Sequence, residues 1–304
     1  MTSETPPILV TGATRGLGRK TALALAKAGH SVLVGGRRRD AAEELCLELR
    51  SSGVGAWPFV ADLSALAEVR DAARALGSRP LRAIVANAGM SSMRTGLRSA
   101  DGIERTFAVN VLAHQLLLDL LAPRVVEGGR VVVLSSGVHL PDNKLARRAG
   151  VPVSEWLGVG PLLDPGNRLS AAGRYSTSKL GNVLQARALQ KRLRDAERGV
   201  DVFALDPGLM VDTDLARELP AIARVLFRGV GRLATPFVAN MRLSSTSAQH
   251  VVALAIGPEW SGRGFAYVDG DEAVPASPDA QRDDLVADFS RATDALLSPY
   301  LHGV

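Results

Sequence analysis

Ile8-Leu9-Val10 runs directly into Thr11-Gly12-Ala13-Thr14-Arg15-Gly16-Leu17-Gly18, and a helix-forming stretch follows to about Gly29. The apolar run reads as a strand, the glycines as a turn, and the rest as a helix. Gly12, Gly16 and Gly18 permit a tight turn and let backbone N–H groups approach an anion. The next helix points its positive N-terminal end at that place. A strand–turn–helix of this composition predicts a pyrophosphate cradle, although the spacing is Gly-x-x-x-Gly-x-Gly and not the fingerprint with one residue between the first two glycines.

Short apolar runs recur beyond it, at 31–34, 57–60, 83–86, 130–134, 202–205 and 264–268, with helical stretches between most of them. Continuous apolar strands alternating with helices predict a parallel sheet covered on both faces. We expect one α/β domain over residues 1–304, a Rossmann-type doubly wound sheet of about seven strands. Two segments interrupt the alternation, 139–172 and 218–247. Both follow strand C-termini, where open α/β sheets bind ligands, and both read as substrate-side insertions.

The second strand ends in Gly35-Gly36-Arg37-Arg38-Arg39-Asp40. A site selective for NAD places an acid there, on the ribose 2′-hydroxyl. Here arginines follow at once, and Arg15 lies in the glycine turn. Two guanidinium groups match a 2′-phosphate, so the expected cofactor is NADP(H), with Arg15 and Arg37 as its grip. Asp40 reads as a helix N-cap.

Tyr175 and Lys179 are four residues apart in Arg174-Tyr175-Ser176-Thr177-Ser178-Lys179. On a helix they share one face. A phenol is a poor acid near neutrality, with a reference pKa of roughly 10. A nearby ammonium favours the phenolate. The pair predicts hydride transfer with tyrosine as the proton partner.

Taken together these motifs resemble the short-chain dehydrogenase/reductase superfamily over most of the chain. Thr14, Arg15 and Leu17 lie within its cofactor turn. Asp62-Leu63 matches the pair that contacts adenine, and Asn87-Ala88-Gly89 the motif ending the fourth strand. Asn110 falls where the family places its catalytic asparagine, and Ser136 is the second serine of the pair ending the fifth strand. Pro207-Gly208 matches the segment lining the nicotinamide. The family's threonine position after that proline is Asp212 here, and the carboxamide contact passes to Thr213. The resemblance implies that Tyr175 donates a proton to the substrate oxygen while Ser136 hydrogen-bonds it. It implies that Lys179 lowers the tyrosine pKa and holds the ribose, and that Asn110 positions a water relaying protons to Lys179. The 136-to-175 spacer, Tyr175-Ser-Thr-Ser-Lys-Leu-Gly-Asn182 and the tail Gly262-Arg-Gly-Phe-Ala-Tyr267 are similar to the retinol dehydrogenase and protochlorophyllide reductase branch.

His139 reads as a loop residue and Asp206 as a turn residue. An amphipathic stretch at 222–233, with Met210, Phe227, Phe237 and Met241, suggests a lining for a bulky hydrophobic ketone, aldehyde or alcohol. A non-catalytic NADP(H)-binding regulator or scaffold is the alternative; an isomerase or lyase on the same fold is a third.

Composition narrows the class further. Net charge is +5, and Lys20, Lys27, Lys144, Lys179 and Lys191 are the only lysines, so the surface is arginine-rich. That reads as a solvated surface and not a nucleic-acid interface. The single cysteine, Cys46, lies in a helical stretch beside Leu45 and Leu49 and reads as a buried thiol, with no metal site implied. The start of the sequence lacks a signal pattern and no uninterrupted apolar run of about 18 residues occurs, so a cytoplasmic protein without an integral membrane segment is expected. The resemblance to the family implies a homo-oligomer formed through helix faces.

Overall fold

The computed structural model describes residues 5–210 and 241–302. Its strands are β1 (Ile8–Val10), β2 (Val32–Gly36), β3 (Ala56–Val60), β4 (Leu81–Ala86), β5 (Val125–Leu134), β6 (Asp201–Asp206), β7 (Leu209–Met210), β8 (Met241–Arg242), β9 (Phe265–Asp269) and β10 (Glu272–Ala273). Eight of them form one sheet in the order β10-β9-β6-β5-β4-β1-β2-β3. All neighbours in it are parallel except β10, which returns antiparallel to β9. The seven expected runs are all present. The eighth strand is two residues long and polar, so no periodicity marks it.

Every central strand is apolar at consecutive positions because both faces are covered. Leu9, Leu33, Ile84 and Val133 face one side, where the helices Leu66–Ala75, Arg105–Arg124, Ala171–Asp195 and Asp283–His302 pack. Val10, Val34, Val85 and Leu134 face the other, against Gly16–Lys27, Arg39–Arg50 and Ser244–Ile256. Each fully buried side chain of this size contributes roughly 1.5–3 kcal/mol. A one-residue slip would send each strand's side chains to the wrong layer. Strand order reverses between β1 and β4, and the crevice above their C-terminal ends is where such sheets take ligands.

Three local readings need correction. The helix expected from Asp40 begins at Arg39, with Arg38 at the N-cap. Asp40 sits inside the first turn, its carboxylate accepting from the Ala41 N–H at 2.8 Å. Segment 139–172, expected as an insertion, contributes in part to the core. Trp156 packs between Phe107 and Phe289, with ring centroids 6.2 and 6.1 Å away, and Val159, Leu162 and Leu169 join the same core. The helix Arg105–Arg124 is long and apolar enough to span a membrane by length and composition, but 78% of that stretch is buried inside this fold. Cys46 is buried beside Leu45 and Leu49, as its spacing indicates.

Candidate active site

The glycine turn is fastened to the neighbouring strand end by one hydroxyl. Thr11 follows β1, and its Oγ1 accepts from the N–H groups of Asn87 and Ala88, both at 2.9 Å. The Asn87 side chain donates back to the Thr11 carbonyl at 2.7 Å. Gly12 and Gly16 take φ of +64° and +55°, where side chains are disfavoured. Gly18 is required for space. A Cβ there would lie 2.4 Å from the Gly12 carbonyl oxygen and 2.5 Å from Asn87 Nδ2. The helix that starts at Gly16 has no acid in its first turn and no side-chain cap from Arg15. Its leading N–H groups therefore face outward for an anion. Leu17 is buried beneath it, and Thr14 sits so close to β2 that a Cβ on Gly36 would meet its methyl at 2.7 Å. These are the features a pyrophosphate cradle requires.

The arginines at the end of β2 divide cleanly. Arg38 pairs with Asp40 at 2.5 Å and Arg39 with Glu43 at 3.3 Å. Arg15 and Arg37 are exposed, and no ion pair engages either among the described residues. The two guanidinium groups expected to hold a 2′-phosphate are the two left uncommitted. Asp62 accepts from the Ser64 N–H at 2.8 Å and fixes the turn after β3, with Leu63 half-buried beside it. Gly89 stands where the two halves of the site meet. A Cβ on it would lie 3.4 Å from Asn110 Oδ1 and 3.8 Å from Lys179 Nζ.

Asn110 lies in a π turn, Ala108–Leu112, inside its helix. Its amide grips the Met90 backbone at both N–H (2.8 Å) and carbonyl (2.9 Å), and donates to Ser178 Oγ at 2.9 Å. Its carbonyl accepts from Asn182 Nδ2 at 2.7 Å, and Asn182 Oδ1 accepts from Lys179 Nζ at 3.3 Å. The Asn182 side-chain amide thus links the Asn110 backbone carbonyl to the ammonium. Asn182 is three residues past Lys179, a helical spacing that places it on the same face, and in the sequence it has no role beyond the end of the Tyr175–Asn182 motif. His114, four residues past Asn110, was also missed. Its Nε2 meets Thr11 Oγ1 at 3.0 Å and its Nδ1 faces the Asn110 carbonyl at 3.3 Å. Burial pushes it down to about 4, so at neutrality it is uncharged and links the glycine turn to Asn110.

Lys179 and Tyr175 depart from the simple pairing. The Lys179 ammonium donates to the Leu134 carbonyl at 2.9 Å and lies 5.6 Å from the Tyr175 ring centroid. Burial lowers Lys179 to about 8 while Asp206 opposes the shift. Tyr175 is pushed up to about 12, first by burial and then by the Asp206 carboxylate, with its hydrogen bond to Ser136 pulling the other way. The phenol in this geometry is a weaker acid than the sequence argument assumed. Ser135 resolves its rivalry with Ser136 by pointing away, donating to the Lys179 carbonyl at 2.8 Å.

The remaining residues are accounted for structurally. His139 is buried, its Nδ1 2.7 Å from the Ser136 carbonyl and its ring edge-on to Tyr267 at 5.0 Å. Asp206 accepts from the Gly208 N–H at 2.9 Å, a turn contact, and its burial also places its charge near Tyr175 and Lys179. Pro207 is fixed by Ser247, which donates to its carbonyl at 2.7 Å, and Gly208 takes φ of +78°. Met210 pairs with Arg242 in the small β7–β8 sheet. Thr213, Phe227, Phe237 and the stretch 222–233 lie outside the described residues.

The chain is similar to known proteins in sequence and in fold. A family model described as short chain dehydrogenase matches residues 7–144. A bovine protein, dehydrogenase/reductase SDR family member 13, is 35% identical over 280 residues, covering 89% of this chain and 68% of its own length. Oxidoreductase calI of Penicillium decumbens is 32% identical over 225 residues, covering 70% of this chain, and the match spans 60% of that relative's length. The crystal structure of an uncharacterised protein from Mycobacterium paratuberculosis superposes with a TM-score of 0.71 at 24% identity, over 97% of this chain and 94% of that one, and shares the fold.

Proposed function

The chain belongs to the short-chain dehydrogenase/reductase superfamily, and from that premise we propose that it is an NADP(H)-dependent carbonyl reductase or alcohol dehydrogenase. The observation that carries the reading is the convergence of Asn110, Ser136, Tyr175 and Lys179 beside the glycine turn. The turn of Gly12, Thr14, Gly16 and Gly18 would hold the pyrophosphate, and Asp62-Leu63 the adenine. Arg15 and Arg37 would hold the 2′-phosphate, and their freedom from ion pairs among the described residues supports NADP(H) over NAD(H). When bound, the nicotinamide supplies the hydride.

Tyr175 donates a proton to the carbonyl oxygen as charge develops there, and Ser136 stabilises that oxygen by a hydrogen bond. Lys179 lies 5.6 Å from the phenol ring and would supply positive charge beside it, while the Ser136 hydrogen bond opposes the burial that raises the tyrosine. The Leu134 carbonyl and Asn182 hold the ammonium, with Asn182 anchored in turn on the Asn110 carbonyl. The substrate proposed is a bulky hydrophobic ketone, aldehyde or alcohol. The amphipathic stretch at 222–233 in the sequence motivates that choice of substrate.

The test is oxidation of NADPH and NADH, followed by absorbance, across bulky and small carbonyls, with Tyr175→Phe as control. Turnover with NADPH that falls about 10²–10⁴-fold in the variant is expected. Tight NADPH binding with no turnover on any carbonyl or alcohol would favour a regulator. Equal rates in wild type and Tyr175→Phe would remove the tyrosine from the mechanism.

A further inference from the structure

The helices Arg105–Arg124 and Ala171–Asp195 pack in one layer and share a core of leucines and valines. Yet a line of polar side chains runs through their buried contact. At its head Arg174 Nη1 faces Glu104 Oε1 at 3.7 Å, with both side chains 3% exposed. Next come Asn110 to Ser178 at 2.9 Å and Asn182 to the Asn110 carbonyl at 2.7 Å. Gln185 Nε2 then donates to the Val111 carbonyl at 3.1 Å and to Gln115 Oε1 at 3.2 Å. Gln115 continues to Asp119 at 2.8 Å, which meets Arg192 at 2.8 Å. Gln115 and Gln185 are 1% and 0% exposed.

Burying such groups is unfavourable by comparison with apolar residues of the same size, so the seam is not explained by stability. Its layout suggests what it does. The π turn at Ala108–Leu112 widens the helix at Asn110. The two carbonyls at its centre, Asn110 and Val111, are the ones that accept from the facing helix. Asn182 touches Lys179 and belongs to the site already described. Gln185 lies ten positions beyond Tyr175, about 15 Å along the helix at 1.5 Å per residue, and touches none of the four proposed catalytic residues. Its carbonyl oxygen has no partner among the described residues, so its donor end alone is in use.

We propose that Gln185, with Gln115, is a positioning residue that pins the π turn and so sets Asn110 against Ser178 and the Asn182–Lys179 pair. The proposal rests on the reading of Asn110, Tyr175 and Lys179 as the reaction centre. It predicts that an apolar replacement keeps the fold and the cofactor but misplaces Asn110.

The test uses the full chain with Gln185→Met, and Gln115→Met/Gln185→Met as a second variant in which neither amide is left without its partner. Three quantities are read: Tm, the Kd of NADPH by fluorescence, and kcat on the best carbonyl substrate. Tm is expected to fall in both variants, because the Val111 carbonyl loses its Gln185 donor and, in the double variant, Asp119 also loses Gln115, so Kd, kcat and exchange are read well below each variant's transition. The Kd is expected to hold within about twofold while kcat falls about tenfold or more, the scale of a small misplacement in a site. An unchanged kcat, or a kcat that falls only with the folded fraction, would overturn the proposal. Hydrogen exchange of backbone amides 105–116 gives a readout independent of turnover. Faster exchange there, with the other core helices exchanging as in wild type, is expected, and wild-type exchange rates at 105–116 in both variants would sink the idea. A wild type that turns over no carbonyl would defeat the reductase reading and leave the exchange result to decide the role of Gln185.

Discussion

The glycine turn at 11–18 and the helix pair carrying Asn110 and Tyr175 flank the same crevice but are built by opposite means. The turn works by omission. Gly12 and Gly16 adopt positive φ, Gly18 leaves out a Cβ that would strike backbone, and the groups offered to a ligand are main-chain N–H. The helix pair works by addition, with side chains meeting across a buried contact between residues as much as 74 positions apart. Omission is local, so it is robust to distant change and intolerant of any added atom. Addition depends on register, so it tolerates conservative substitution and is sensitive to anything that slides one helix.

The largest expected effect comes from adding a single methyl to the turn. In Gly18→Ala the new Cβ meets the Gly12 carbonyl oxygen, a backbone atom that cannot step aside as a flexible side chain would. We expect NADPH binding to weaken by about a hundredfold or more, given what a small misplacement does in such sites. Fluorescence titration of a variant shown by circular dichroism to be folded measures this. Near-native affinity would mean that the turn is softer than its contacts imply and would erase the contrast with the helix pair.

Arg37→Ala sharpens the comparison from the same side of the crevice. One or two charge-assisted hydrogen bonds to a phosphate are worth roughly 1.5–3 kcal/mol each. The Kd for NADPH is expected to rise about tenfold to a hundredfold, with the Kd for NADH unchanged. Arg38→Ala should move neither, because Arg38 is already held by Asp40. Equal losses in the two variants would mean that the ion pairs at the end of β2 rearrange on binding.

The contrast also explains what the sequence disclosed. A glycine turn after an apolar strand, and a Tyr–Lys spacing of four, are local patterns whose geometry follows from strand and helix periodicity. The seven parallel strands followed from the same logic, while their order across the sheet did not. The polar seam did not. Gln185 and Gln115 look like ordinary helix residues until two helices are laid together, and nothing near Asn110 announces a π turn. His114 and Asn182 stood at helical spacings from Asn110 and Lys179 and were legible in principle. The acidity of Tyr175 was misjudged because a pair read along one helix omits Asp206, which arrives from β6, and omits burial, which dominates. Segment 139–172 looked like an insertion by composition, while Trp156 and Leu162 were being recruited to a core that only the assembled helices create.

The smallest effect on the crevice is expected at the far end of the seam, where stability alone should respond. Asp119 is buried against Arg192 and Gln115, and Arg192 also meets Asp294 of the final helix at 3.2 Å. Burial raises the Asp119 carboxyl from 3.8 to about 6, against the pull of Arg192. The folded protein therefore binds this proton more tightly than the unfolded chain does. The associated stabilisation is complete below the ordinary carboxylate range and is lost as pH rises through about 6. A shift of about two units corresponds to at most about 3 kcal/mol. Asp119→Asn cannot titrate, so the difference in unfolding free energy between wild type and variant should fall against wild type between pH 4.5 and 7.5. Urea denaturation across that range measures it, with NADPH affinity unchanged throughout. Parallel stability curves for the two proteins would show that Arg192 holds Asp119 charged at every pH, making the end of the seam an ordinary ion pair.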